Sequence, residues 1–418
     1  MKRARLSRMF GSQATQRRAL AAAGLAMLLS FSAGCTGSSL NPDVPRREGP
    51  IRIGLMWPTS GVLAVAGADF IKGWEMYLKE HDNKLGGFDV TTTLVDEADG
   101  RQAARDGVTK LIERDRVDVM VGTVSTDAMM AALQATGEAH IPFVGTGGRL
   151  NTIPNLSLDY AWHTSFRTGD PGQALADYVR SNVDGSVWAI GPDFEGGYGF
   201  VNGFVGPFTA AGGHLANPNG KPTYTPYPAT TNFVPYLNQI LASDAKAVFA
   251  FFAGANAIAF IKQYAQVVGK RLPLYVPGPT TEGNAVLAAM GADADGVYSS
   301  SNYSAALDNP ANRAFASDFQ QKYGQAPTQP NLIAWDSARV LDLAIAAAGP
   351  DPTSASINAA ISHLGAIPSP RGDWRFAADH APTQPWYLRQ VRNDGSGRTN
   401  VIVQTLAVLG DQKPGAHQ

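Results

Sequence analysis

Two glycine-bracketed turns carry the side chains best suited to chemistry in this 418-residue chain. The first, Gly122-Thr-Val-Ser125-Thr126, follows an apolar run and opens a segment of helical period. Ser125 or Thr126 there can cap the helix, its oxygen accepting an N–H of the first turn. Free backbone N–H groups and the positive helix end at such a turn suit a carboxylate, although an ordinary cap is the plainer role. The second turn, Gly145-Thr-Gly-Gly-Arg149, follows the next apolar run. Glycine lets a ligand come close to the backbone at Gly147 and Gly148. Arg149 can fork onto a carboxylate or pair with Asp159. Trp57 can stack on a ligand ring or fill a core.

Catalytic signatures are missing. Gly197-x-Gly199 with Gly203 is one residue out of register for a dinucleotide loop, and no G-x-S-x-G elbow, P-loop or H-E-x-x-H occurs. His81, His140, His163, His214, His363, His380 and His417 are scattered without metal-ligand spacing. The expectation is a binding protein, not an enzyme, with neither metal nor cofactor.

Cys35 is the only cysteine, and it follows a secretion signal. Lys2, Arg3, Arg5, Arg8, Arg17 and Arg18 come first, then the apolar run from Ala19 to Phe31 and the small residues Ser32, Ala33 and Gly34. That order of charge, apolar stretch and small residues is an export signal, and the stretch is too short for a membrane span. Cys35 is placed to bear the lipid of a mature lipoprotein, although Ser32 stands where such signals usually carry leucine. The Arg17-Arg18 pair resembles a twin-arginine signal, or is simply part of the basic n-region. Thr36 to Pro50 is rich in Gly, Ser and Pro and reads as a tether.

The chain holds 34 basic and 35 acidic residues; without the six basic residues of the signal, 28 stand against 35, a net charge of −7. A mildly acidic body argues against nucleic acid as a partner. With 44% apolar and 17% charged residues it is globular, and its length suffices for two domains.

These turns need a frame to hold them. Strand-like Ile51 to Leu55, Asp89 to Val95, Val117 to Val121 and Ile141 to Val144 alternate with helical Ala68 to Glu80, Arg101 to Glu113 and Asp127 to Ala139. The rhythm restarts with helices Pro171 to Arg180, Phe200 to Ala211, Ala257 to Val268 and Asn284 to Met290, and strands Val187 to Ile190, Ala247 to Phe252 and Leu274 to Val276. Such alternation predicts parallel sheets flanked by helices, in two α/β lobes. The last third breaks the rhythm: helices Ala311 to Tyr323 and Asn331 to Ala348 precede strands at Trp374 to Phe376, Trp386 to Val391 and Val401 to Leu409. These elements can complete the two earlier lobes, which requires several crossings between them.

The opening Ile51-Arg-Ile-Gly-Leu-Met-Trp-Pro-Thr-Ser-Gly61 resembles the first strand and loop of the leucine/isoleucine/valine-binding proteins, extracytoplasmic receptors of ABC importers. Gly67 through Lys79, Leu85-Gly-Gly87, Val95-Asp-Glu97, Val121-Gly122, Tyr198-Gly199 and Asp295-Gly-Val-Tyr298 follow in that family's order. Ser369-Pro-Arg-Gly372 and Tyr387-Leu-Arg-Gln-Val391 resemble its closing strands. The resemblance implies the type I periplasmic binding protein fold: two Rossmann-like α/β lobes of parallel sheet flanked by helices, joined by three hinge strands, with ligand between them. On that pattern residues 51–165 and 302–366 form one lobe, residues 166–301 and 367–409 the other, and 410–418 a tail.

The same resemblance assigns the ligand carboxylate to Ser125 and Thr126, a closing ring from the far lobe to Tyr198, and further contacts to Gly254, Ala255 and Thr280. The acid that pairs with the ligand ammonium in those proteins should fall near Pro279. Here Pro277-Gly-Pro-Thr-Thr-Glu282 leaves it missing or displaced to Glu282. A branched-chain-like amino acid is thus one expected ligand, and a small or aromatic carboxylate without the amine is another. The implied partners are the permease and ATPase of an ABC importer, with the receptor a monomer; a sensor serving a signalling partner is the alternative.

Overall fold

The structure is a computed structural model that describes residues 46–98, 100–153, 155–395 and 397–410. The export signal, Cys35 and most of the tether lie outside the described residues, as does the tail beyond Gly410.

The first sheet is ordered β2-β3-β1-β4-β5-β7. Its strands are β1 (Ile51–Trp57), β2 (Lys84–Leu85), β3 (Phe88–Asp96), β4 (Val119–Gly122), β5 (Phe143–Gly145) and β7 (Ala161–His163). Between them run α1 (Ala64–Glu80), α2 (Arg101–Thr109) and α3 (Thr126–Ala139). β6 (Gly148–Arg149) and β8 (Phe166–Arg167) pair separately. β1 is buried almost throughout because helices cover both faces of a parallel sheet. Ile53 and Leu55 share one core with Trp74 of α1, while Met56 faces Val108, Leu111 and Met129 on the other side.

After α4 (Asp170–Asn182) the alternation resumes with β9 (Val187–Asp193), α5 (Glu195–Ala210), β10 (Thr223–Pro226), α6 (Val234–Ala242) and β11 (Ala247–Ala250). It continues through α7 (Gly254–Val267), β12 (Leu274–Pro277), α8 (Asn284–Met290) and β13 (Tyr298–Ser301). β9, β11, β12 and β13 are parallel neighbours. The chain then returns as α9 (Pro310–Tyr323), α10 (Gln329–Ala347) and α11 (Ser354–Ser362), with Ile333 and Leu341 of α10 in the core of the first sheet. It ends in β14 (Arg375–Phe376) and the antiparallel hairpin β15 (Pro382–Asn393) and β16 (Arg398–Leu409), which extends the second sheet beyond β13. The backbone therefore crosses between the sheets after β7, after β13 and before β14. The broken rhythm of the last third is the sequence image of these return crossings.

Two local expectations change. The strand expected over Ala247 to Phe252 ends at Ala250, and Phe251 and Phe252 turn into the space between the sheets. The tether expected to run free to Pro50 is fastened earlier. The backbone N–H of Arg47 donates to Pro350 O at 2.9 Å and its guanidinium to Pro352 O at 2.8 Å, beside an ion pair with Asp118. Among the described residues, no helix is long and apolar enough to cross a membrane.

Candidate functional site

Parallel strands aim their carboxyl ends, and the helix starts that follow them, at one place. Here both sheets do so across a shared cavity. From the first side come Leu63, the Val124-Ser125-Thr126 turn after β4 and Thr146-Gly147-Gly148 after β5. From the second come Phe194 and Gly196 after β9, Phe251 to Gly254 after β11, and Pro279 and Glu282 after β12. The space open to the centre of a water-sized sphere is about 110 Å³.

Rings dominate the walls. Phe200 stacks on Phe251 with centroids 3.9 Å apart, Phe166 meets Phe200 edge-on at 6.1 Å, and Phe194 stacks on Tyr227 at 4.4 Å. The polar features sit at helix starts. Ser125, in extended backbone, caps α3 by accepting the Ala128 N–H at 3.2 Å, so the cap is Ser125 and Thr126 is the first helical residue. The starts of α5, α7 and α10, at Gly196, Gly254 and Gln329, also line the cavity. Helix N-termini carry partial positive charge, so an apolar chamber is ringed by fields that favour an anion.

Beneath the Ser125 turn lies the acid of the Val95-Asp-Glu97 strand end, to which sequence reasoning assigned no role in the site. Glu97 is fully buried and accepts the backbone N–H groups of Val124 and Ser125, both at 2.6 Å. Burial pushes its carboxyl up to about 7, against the pull of those donors. The backbone donors of Val124 and Ser125 are thus already taken, and the Ser125 side chain also stabilises the Glu97 carboxylate, while Ser125 and Thr126 both line the cavity.

The structure brings Ser125, Thr126, Gly147, Gly148 and Gly254 together on the cavity wall. A Cβ on Gly147 would lie 2.5 Å from Val124 O, so this close approach of two turns requires glycine. The other expected residues lie elsewhere. Arg149 is 1% exposed and pairs with Asp379; it is not among the residues lining the cavity and does not meet Asp159. Tyr198 lies on the outer side of α5, bonded to Asp193 and lining a separate surface groove; the tyrosine at the cavity is Tyr227. Trp57 is wholly buried, stacked behind Phe70 and donating to Thr146 Oγ1 at 3.0 Å, so it braces the wall. Thr280 is buried and meets the Phe252 N–H at 3.4 Å. Ala255 joins the two sides instead, its N–H donating to Val62 O at 3.3 Å.

Residues the sequence reading passed over include Phe166, Phe194, Phe200 and Asp69. Phenylalanine gives no local signal that separates a cavity wall from a core, and Asp69 sits inside a helix of ordinary period. Glu282, noted only as a displaced acid, does line the cavity.

Known proteins show the same body. The sequence model of the periplasmic binding protein family matches residues 50–396. A Leu/Ile/Val-binding protein homolog 6 of Brucella melitensis is 28% identical over 371 residues, spanning 86% of this chain and 93% of that protein. Among solved structures, an ABC transporter solute-binding protein of R. palustris in complex with benzoate is 30% identical, with a TM-score of 0.78 over 87% of this chain and 98% of that one. Another from R. palustris, in complex with 4-hydroxybenzoate, is 25% identical with the same TM-score of 0.78 and the same coverage, 87% and 98%. A leucine-binding protein of Thermotoga maritima, 18% identical, shares the fold at a TM-score of 0.76 over 85% of this chain and 98% of that one. With its two sheets, its cavity at their facing carboxyl ends and a family match over nearly the whole described body, this chain belongs to the periplasmic binding protein family.

Proposed function

We propose that this solute-binding protein captures a small aromatic carboxylate outside the cytoplasm and delivers it to the permease and ATPase of an ABC importer. One observation carries the ligand class: a ring-lined cavity on which the starts of α3, α5, α7 and α10 converge. The rings suit a flat apolar body, and the helix starts suit a carboxylate. The R. palustris relatives bound to benzoate and 4-hydroxybenzoate support the same class.

Binding works by closure. The Ala255 to Val62 hydrogen bond ties the two sides together beside the cavity. A ligand that touches both sides shifts the population toward the closed form, whose surface a membrane partner can recognise. We read the protein as a binder and not a catalyst, in keeping with the periplasmic binding protein family that it matches. Cys35 then serves as the lipid anchor of a monomeric receptor. A branched-chain amino acid is the second reading, favoured by the carboxyls of Asp69 and Glu282 in the wall.

Calorimetric titration of the purified protein with benzoate, 4-hydroxybenzoate, leucine and isoleucine tests this. The aromatic acids should bind at least about tenfold more tightly, a difference of about 1.4 kcal/mol, and Ser125→Ala should weaken them. Tight leucine binding without benzoate binding would reverse the assignment.

A further inference from the structure

Two carboxyl groups interrupt the apolar wall, and both are already answered. Asp69 is 5% exposed; its Oδ1 lies 3.4 Å from Lys72 Nζ, and its Oδ2 accepts the Thr328 hydroxyl at 3.2 Å. Glu282 is held more tightly. Its Oε1 accepts the backbone N–H of Gln329 at the start of α10, at 2.8 Å, so the positive helix end also faces it. Its Oε2 accepts from the guanidinium of Arg389 at 2.7 Å.

Arg389 stands behind this wall. It is absent from the main cavity and lines a smaller recess on the other side of Glu282. Its side chain is 1% exposed, and it is fixed by further bonds to Tyr303 O at 2.9 Å and Ser299 Oγ at 3.3 Å. The Arg389 guanidinium therefore balances the Glu282 charge from within the protein. A ligand ammonium reaching Glu282 would have to share both oxygens with donors that are already seated, and would meet the Arg389 charge across them. A ligand that brings only a carboxylate meets no such conflict.

Resting on the proposed carboxylate reading, we infer that Arg389 is a specificity-determining residue: by occupying Glu282 it turns the cavity against ligands with an ammonium group beside the carboxylate. Arg389 touches no ligand in this scheme; it acts through Glu282.

Phenylacetate and 2-phenylglycine test this, because they differ only by one amino group. The full chain should bind phenylacetate at least about tenfold more tightly than 2-phenylglycine. Arg389→Met, which leaves Glu282 unmatched, should cut that ratio at least about tenfold. The double variant Arg389→Met with Glu282→Gln, which carries no unpaired buried charge, should restore it. Should Arg389→Met fail to fold, Arg389→Gln decides: an amide there can still hydrogen-bond but brings no charge, so the ratio should fall at least about threefold. Equal binding of the two acids by the natural protein, or a ratio unmoved by Arg389→Met or, where that fails to fold, by Arg389→Gln, overturns the filter. Binding of neither acid overturns the ligand class beneath it, and the filter with it.

Discussion

At the scale of single residues, the turn at Ser125 shows how far residue type alone can carry a functional reading. A hydroxyl after a strand and before a helical period is legible as a cap, because few residue types accept the first N–H groups of a helix. What the turn has left to offer a ligand was not legible, since Glu97, distant in sequence, takes the Val124 and Ser125 N–H groups. Arg149 lies off the cavity because its partner Asp379, far along the chain, is set by tertiary geometry that no spacing encodes. Tyr198 turns instead to the nearby Asp193, on a helix face that its sequence context did not reveal. Glu97 also makes the site sensitive to pH. Burial lifts its carboxyl from 4.5 to about 7, so it is mostly neutral in mild acid and becomes anionic as pH rises through neutrality. A carboxylate ligand stays ionised over that whole range. Moving from about pH 6 to about pH 8.5 therefore places a second negative charge beneath the ligand's own, and affinity for benzoate should fall several-fold. Glu97→Gln should flatten the dependence. Dissociation constants at both pH values, for both proteins, check it; a flat profile in the natural protein counts against the placement of the ligand over this turn.

At the scale of elements, the parallel strands and their covering helices were readable because burial on both faces writes continuous apolar runs between helical periods. β10 and α6 were not, since prolines and a polar stretch from Ala229 to Asn232 hide the short period around them. The strand-like run through Phe252 misled for a plainer reason: an apolar run does not say where strand ends and cavity wall begins. The start of α7 is the element most exposed to a small change. Gly254 has φ +56°, and a Cβ there would lie 2.0 Å from Val62 O on the facing side. Gly254→Ala should therefore hold the two sides apart. Its backbone cost of about 1–2 kcal/mol in the left-handed region should lower Tm by only a few degrees. Ligand affinity should drop at least about tenfold, because the closed state carries the clash. Small-angle scattering should show no compaction when ligand is added. Normal affinity in this variant would show that closure does not bring α7 against Val62.

At the scale of the whole molecule, the sequence showed two lobes but not how the crossings between them are tied. The tie is ionic and lies beside the cavity. Arg149 of β6 and Arg167 of β8 both reach Asp379, which sits in the loop between β14 and β15, and Arg167 Nη2 also donates to Gly410 O at the end of β16, at 3.1 Å. One carboxylate thus fastens the loop that follows the third crossing to the β6–β8 pair on the first crossing, and through Arg167 to the end of the final hairpin. Burial alone would raise the Asp379 carboxyl, but the Arg167 and Arg149 guanidiniums overrule it and hold it at about 2. A carboxyl lowered from 3.8 contributes stability that is complete above its ordinary range and disappears as pH falls toward 2. Asp379→Asn leaves the Arg149 guanidinium, only 2% exposed, without its counter-charge, while Arg167 keeps Asp170 at 3.5 Å. Losing one partner of a buried pair costs about 3–5 kcal/mol; the 28% exposure of Asp379 places the expected loss at the lower end. Urea unfolding at neutral pH should show that loss as a lower midpoint. The gap between the two proteins should then narrow as pH drops from about 4 toward about 2, because acid removes from the natural protein the same charge that the substitution removes. An unchanged midpoint at neutral pH would mean that the crossings are held by their backbone pairing and packing, and that the triad contributes nothing to the hinge.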